Sequence, residues 1–238
     1  MRAALFILFM LFSAACSPAA PASTPTAVIP TPNSGTVEIL TPQAGAIIYA
    51  DMLYLAGTAA GVTGDFTIQV IGADEQIIAQ ATVPAGSANW QVELPHGYSG
   101  DPTEAIITAL PAAGDGEYDR VTVALAGEQR PEGSFGSITA PAEGDTLGGD
   151  VIEVSGRGSG LFENSLLISL IAADGAVLDN QIITLNNPYF IDDVPWRVEL
   201  STRNYSGSAA IHIFYQSMSG NDDVTLDSTE IHLTQEAG

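Results

Sequence analysis

The phrase WQVEL at 90–94 returns as WRVEL at 196–200, and the two phrases hold the only tryptophans of the chain. Around them the rest of the sequence is also written twice. ILTPQAGAII (39–48) aligns with ITAPAEGDTL (138–147), so Pro42 and Pro141 stand 99 residues apart. Gly45 and Gly144 keep that offset, as do Gly57 and Gly156. GADEQIIAQ (72–80) matches AADGAVLDN (172–180), and YSG follows in each copy, at Tyr98 and at Tyr205. The offset has grown to 107 by then, which places extra residues in the second copy around NNPYFIDD (186–193). Ordered matches over about a hundred residues mean one fold built twice.

Within each copy, short β-branched runs alternate with Gly, Pro, Asp and Asn. The runs predict strands near 37–40, 52–58, 66–72, 77–83, 90–94, 105–110 and 121–125 in the first copy. In the second they fall near 137–140, 151–156, 166–172, 177–185, 196–200, 209–216 and 229–234. Seven strands at this length predict an all-β architecture of two tandem immunoglobulin-like β-sandwiches, over 37–126 and 137–235. Residues 127–136 join them. In a strand, side chains alternate between faces. Trp196, Val198 and Leu200 therefore point inward and Arg197 and Glu199 outward, with the same pattern at Trp90. Each tryptophan reads as an anchor between two sheets, with Gly57, Gly156, Pro42 and Pro141 as repeated structural positions. Tyr98 and Tyr205 suggest a hydroxyl tie to nearby backbone of the tyrosine-corner kind.

The first residues carry a different signal. Arg2 precedes the apolar run ALFILFMLF (4–12), too short to span a bilayer and typical of an export signal over 1–15. SAAC ends at Cys16, the only cysteine, and resembles the lipobox of bacterial lipoproteins, with Ser13 where that motif usually has Leu. The resemblance implies cleavage before Cys16 and lipidation of its thiol, hence an extracytoplasmic protein held to a membrane by its lipid. Pro, Ser, Thr and Ala dominate the stretch up to residue 36 and predict an extended stalk; twenty such residues reach roughly 60 Å. With Cys16 committed, no disulfide can staple either domain.

Charge removes several classes of function. There are 28 acidic residues, all beyond Cys16, against six arginines and no lysine, for a formal net charge of −22. Such a surface repels nucleic acid and anionic headgroups. Without lysine there is no P-loop, Schiff base or Ser–Lys dyad. No G-x-S-x-G elbow or HExxH occurs, so no enzyme is expected.

Two sets of residues bear on metals. Asp115, Glu117 and Asp119 crowd the last long loop of the first copy, and Asn221, Asp222, Asp223 and Asp227 the matching place in the second. Asp192 and Asp193 add a further acidic pair. Hard oxygen ligands in a loop suit calcium, while solvated acidic turns fit the same residues; no cofactor is required. His212, His232 and Glu230 share outward strand faces and would form a two-His, one-carboxylate site only if in register. His96 reads as a surface residue. Tyr49, Tyr54, Tyr189 and Phe190 do not fall on inward positions and stand as candidates for exposed, sugar-stacking rings.

The second copy also resembles a known family. ITAPAEGD (138–145), IEVSGRG (152–158), LFENSLLISL (161–170), AADG (172–175) and IFYQSMSGND (213–222) run in order through 137–233. Together they are similar to the immunoglobulin-like domain of bacterial spore-germination lipoproteins and related envelope proteins. The family's serine–acidic–glycine turn is altered here to SMSGNDD, and the first copy is more distant, with VTGDF and PAAGDGEYD at the corresponding places. The resemblance implies an accessory, non-catalytic envelope module and supplies no catalytic residue. The expected partner is another envelope protein, with a cell-wall glycan as the alternative and nucleic acid excluded.

Overall fold

The computed structural model describes residues 35–112, 115–127, 133–216 and 223–235. The export signal, Cys16 and the stalk up to residue 34 lie outside the described residues.

The first copy forms β1 (Thr36–Thr41), β2 (Ile47–Ile48), β3 (Met52–Ala60), β4 (Phe66–Gly72), β5 (Ile77–Val83), β6 (Asn89–Pro95), β7 (Thr103–Pro111) and β8 (Asp119–Leu125). They make a three-stranded sheet in the order β1-β3-β6 and a five-stranded sheet in the order β2-β8-β7-β4-β5. The second copy forms β9 (Phe135–Ala140), β10 (Thr146–Gly148), β11 (Val151–Ser159), β12 (Ser165–Ala172), β13 (Val177–Thr184), β14 (Val194–Ser201), β15 (Gly207–Gln216) and β16 (Asp223–Thr234). Its sheets run β9-β11-β14 and β10-β16-β15-β12-β13, strand for strand the same arrangement. The chain is a tandem pair of immunoglobulin-like β-sandwiches.

Among the described residues each copy has eight strands rather than the expected seven. The additional ones, β2 and β10, are two and three residues long and pair in parallel with β8 and β16. Each follows a cis proline, Pro42 or Pro141, and a turn at Gly45 or Gly144, whose φ values of 79° and 81° favour glycine. There the chain crosses from one sheet to the other. A run of two or three residues is too short to show alternation. The last strand also begins earlier than expected, at Asp223, and β9 takes in Phe135 and Gly136 from the predicted linker.

The repeated phrase has the predicted polarity. Trp90 and Trp196 are buried, with Leu94 and Leu200, while Gln91, Glu93, Arg197 and Glu199 are exposed. Gly57 pairs across the sheet with Trp90, and Gly156 with Trp196. A Cβ on Gly57 would sit 2.6 Å from Trp90 Cζ2, and one on Gly156 would sit 2.6 Å from Trp196 Cε2. The indole on one side and the backbone carbonyl of Glu38 or Ser137 on the other leave no room for a Cβ at either glycine. Trp90 donates its N–H to the Thr58 carbonyl at 3.2 Å, and its ring meets Phe66 edge-on at 5.8 Å. The Trp196 N–H is buried without a partner among the described residues.

The tyrosines act as expected in kind. Tyr98 donates to the carbonyl of Asp101 at 2.7 Å and Tyr205 to that of Ser208 at 3.2 Å. The tie runs forward along the chain, three residues on, over the small Gly100 and Gly207.

Candidate functional site

The extra residues of the second copy are where the two sandwiches meet. Segment 186–193 leaves β13 and turns on itself: Asn187 is fully buried, accepts the Phe190 N–H on its carbonyl at 3.1 Å, and donates from its side chain to the Asp192 carbonyl. Asn164 braces the same turn through the Asn187 carbonyl at 2.9 Å. The far end of the turn then enters the first sandwich. Asp193 exchanges backbone hydrogen bonds with Ile47, N–H to carbonyl at 2.8 and 3.0 Å, and so extends β2 on the side away from β8. The Asp192 carboxylate accepts the N–H groups of Tyr49 at 2.9 Å and Ala50 at 3.2 Å. At the other end of the turn, Asn186 donates to the Leu40 carbonyl at 3.2 Å and to the Thr41 hydroxyl. Tyr189 meets Tyr54 edge-on at 6.4 Å.

Charge inside this joint is matched rather than solvated. Asp193 is buried, and its carboxylate accepts from Arg157 Nε at 3.0 Å while the guanidinium also reaches the Asp193 carbonyl at 3.0 Å. Burial pushes the Asp193 carboxyl above its ordinary range, with Arg157 opposing. Burial likewise pushes Asp192 up, opposed by the N–H bonds from Tyr49 and Ala50. Tyr49 and Tyr189 are both raised, first by burial and then by nearby carboxylates. Beside the joint lies an open cleft of 560 Å³ whose lining includes Gln43, Thr139, Ser155, Arg157, Asn186 and Arg197.

The raised Asp192 value has a definite sign. A carboxyl whose folded value exceeds its unfolded one, about 3.9, contributes its stability below that pH and loses it as pH rises through the folded value. Asp192→Asn keeps an acceptor for the two N–H groups and removes the buried charge. Its melting temperature relative to the parent is expected to be least favourable at pH 4 and to improve steadily towards pH 7. A difference independent of pH would show that the charge carries no cost there.

Several expectations change here. His96 is not at the surface: it is 7% exposed, its Nε2 lies 2.6 Å from the Ala50 carbonyl, and its Nδ1 accepts the Tyr98 N–H at 3.1 Å. It props the loop that receives Asp192. Tyr49, Tyr54 and Tyr189 are half-buried at the joint, and of the four candidate rings only Phe190 is exposed. Asp192 and Asp193 are buried rather than solvated loop acids.

The acidic loop residues have mostly found partners in their own chain. Asp119 accepts the Ile39 N–H at 2.7 Å, and Asp227 accepts the Ile138 N–H at 2.9 Å. The two are counterparts: each holds the first strand of its sandwich, just before the cis proline, against the last. Glu117 pairs with Arg120 at 3.0 Å and accepts from Thr108, and its carboxyl is held low chiefly by the Arg120 hydrogen bond. Asp115 and Asp223 are exposed, and Asn221 and Asp222 lie outside the described residues. Among the described residues no group of three or more His, Cys, Asp and Glu is placed to hold a metal ion. His212 stands opposite Ser228 and His232 opposite Ser208, so the register does not bring the histidines together; His212 instead stacks on Phe214 at 5.8 Å.

No protein-family model matches the sequence. No curated protein matches it either. Among solved structures, an alpha-2-macroglobulin mutant from Salmonella is similar over 84% of this chain at 13% identity and a TM-score of 0.35, and this chain covers 15% of its length. A tetra-tandem repeat from the extending region of a large adhesion protein is similar over 84% of this chain and 49% of its own, at 15% identity and a TM-score of 0.30. CopC from Methylosinus trichosporium is similar over 44% of this chain and 97% of its own, at 15% identity and a TM-score of 0.32. Likenesses this distant say nothing of ligand or activity, and the sandwich fold rests on the sheet order itself.

Proposed function

We propose that this is a non-catalytic envelope lipoprotein that presents two sandwiches in a set relation to a protein partner outside the membrane. Cys16 carries the lipid, residues 17–34 form the stalk, and the joined sandwiches are the working part, in the manner of the accessory domains of spore-germination lipoproteins. The observation that supports this reading is the joint. Two domains tied by Asp192, Asp193 and Asn186 hold their loops at a defined spacing, which a passive spacer does not need and a binding module does. Its partner binds without chemistry being done on it.

The glycan-binding alternative rested on four exposed rings, and three of them are occupied between the domains. Co-sedimentation of the protein with purified cell wall, in calcium and in chelator, separates the readings. The protein-binding role predicts no retention in either condition and a discrete crosslinked partner in cells. Retention competed by wall fragments would replace it with the glycan module. For the anchor, Cys16→Ala is expected to abolish labelling by radioactive palmitate and release the protein from membranes; labelling that persists would refute lipidation at this residue.

A further inference from the structure

One end of the second sandwich carries a cleft that the joint does not use. Phe162, Glu163, Phe190 and Tyr215 line it, with buried Leu161 at its base, in a volume of 490 Å³. Phe162 is 42% and Phe190 49% exposed, and they are the only aromatic residues among the exposed large hydrophobic side chains described. Lone exposed apolar residues need no explanation, but two phenylalanines and a tyrosine around one cleft do.

The backbone is held in an uncommon form to put them there. Glu163, Asn164 and Phe190 have φ values of 52°, 54° and 63°, and they are half of the six non-glycine residues described in the left-handed region. That conformation is unfavourable for a bulky residue and persists where the surroundings enforce it. Here the Gly160 N–H donates to the Phe190 carbonyl at 2.7 Å, and the Leu185 N–H to the Asn164 carbonyl at 2.8 Å. The main chain is pinned while the Phe162, Glu163 and Phe190 side chains are left outside.

We infer that this cleft receives an arginine side chain from a basic segment of a partner protein. Aromatic faces attract cations through their quadrupole, and a guanidinium stacks on them while its N–H groups meet a carboxylate. The cleft offers both, in Phe162, Phe190 and Tyr215 and in Glu163. Among the described residues no cation lines it, and Arg120, Arg157 and Arg197 are paired with Glu117, Asp193 and Glu153 elsewhere. A net charge of −22 with no lysine draws basic segments toward any such site. A sugar is less well served. It needs several converging polar groups, and the Ser134 hydroxyl on the rim already donates to the Gly160 carbonyl at 2.8 Å. The first copy has VTGDF in place of this turn, and among the described residues the cleft occurs in the second copy alone.

This inference deepens the protein-binding reading and rests on it. The test uses the full chain and a nine-residue Gly/Ser peptide with one central arginine, titrated while the phenylalanine ring protons are followed by NMR. A peptide with citrulline in place of arginine is the control, because it keeps the shape and loses the charge. The arginine peptide is expected to bind about tenfold more tightly than the citrulline peptide. Glu163→Gln, a surface change that leaves the melting temperature unaltered, is expected to erase that difference, and Phe162→Leu with Phe190→Leu to abolish binding by both. Equal binding of the two peptides would overturn the inference. So would arginine binding that survives all three substitutions, or ring shifts produced by wall oligosaccharide but not by the arginine peptide. A crosslinked partner in cells whose yield ignores Phe162 and Phe190 would overturn this site while leaving the protein-binding role intact.

Discussion

Trp196→Ala is expected to cost the second sandwich about 3–5 kcal/mol, the range for emptying a buried large aromatic position. For a domain of this size that lowers the melting temperature by roughly 15 °C or more. The ring is buried in the core and lies over Gly156, so its loss opens a cavity that neighbouring backbone cannot close. Gly156→Ala tests the same contact from the other side. A methyl there meets both the indole and the backbone carbonyl of Ser137, and the second of these cannot move aside as a side-chain tip can. Overpacking of this kind costs about 1–3 kcal/mol or more. Calorimetry on the two variants and on the double variant reads the coupling: additive losses would mean that the indole and the glycine are independent, contrary to their contact.

The second large effect concerns the joint. Asp192→Ala leaves the N–H groups of Tyr49 and Ala50 without their acceptor, at about 1–3 kcal/mol for each that stays buried. Relief of the buried charge offsets part of that loss. The expected result is uncoupling rather than unfolding. Amide exchange at Ile47, Tyr49 and Ala50 should accelerate by at least about tenfold, while amides in the two cores keep their protection. Asp192→Asn retains the acceptor and should remain near the parent rate. Unchanged exchange in the alanine variant would mean that the joint is held elsewhere, by the Asp193–Ile47 ladder or by Asn186.

The architecture was readable from residues because alternation is a local property. Trp90 and Trp196, with their polar neighbours, declare which face is inward without any knowledge of the partner strand. The repeat then converted one reading into two. What escaped was whatever depends on a second piece of chain. Asp119 and Asp227 look like loop acids until the first strand of each sandwich is laid beside the last, when each carboxylate proves to hold a backbone N–H. The histidines were placed on the right face, but whether His212 and His232 meet is a matter of register, which composition does not encode. His96 appeared exposed because its loop is polar and glycine-containing, and it is buried because that loop packs on the Ala50 turn. The joint itself left one visible trace, the extra residues around NNPYFIDD, where the offset between the copies rises from 100 at Gly72/Ala172 to 106 at Trp90/Trp196. An insertion rich in buriable rings and paired acids is a signal of contact; its target on β2 was not legible.

The tie between the domains has a direction. The second copy supplies the grasping turn, and the first supplies the edge of β2 and the Tyr49–Ala50 amides that it grasps. The first copy has no such turn with which to hold anything that comes before it. The halves are therefore not interchangeable, although they share a topology strand for strand. Exchanging their order would yield two folded domains that hang loose from each other, and adding another copy of the first type would lengthen the chain without extending the coupled unit.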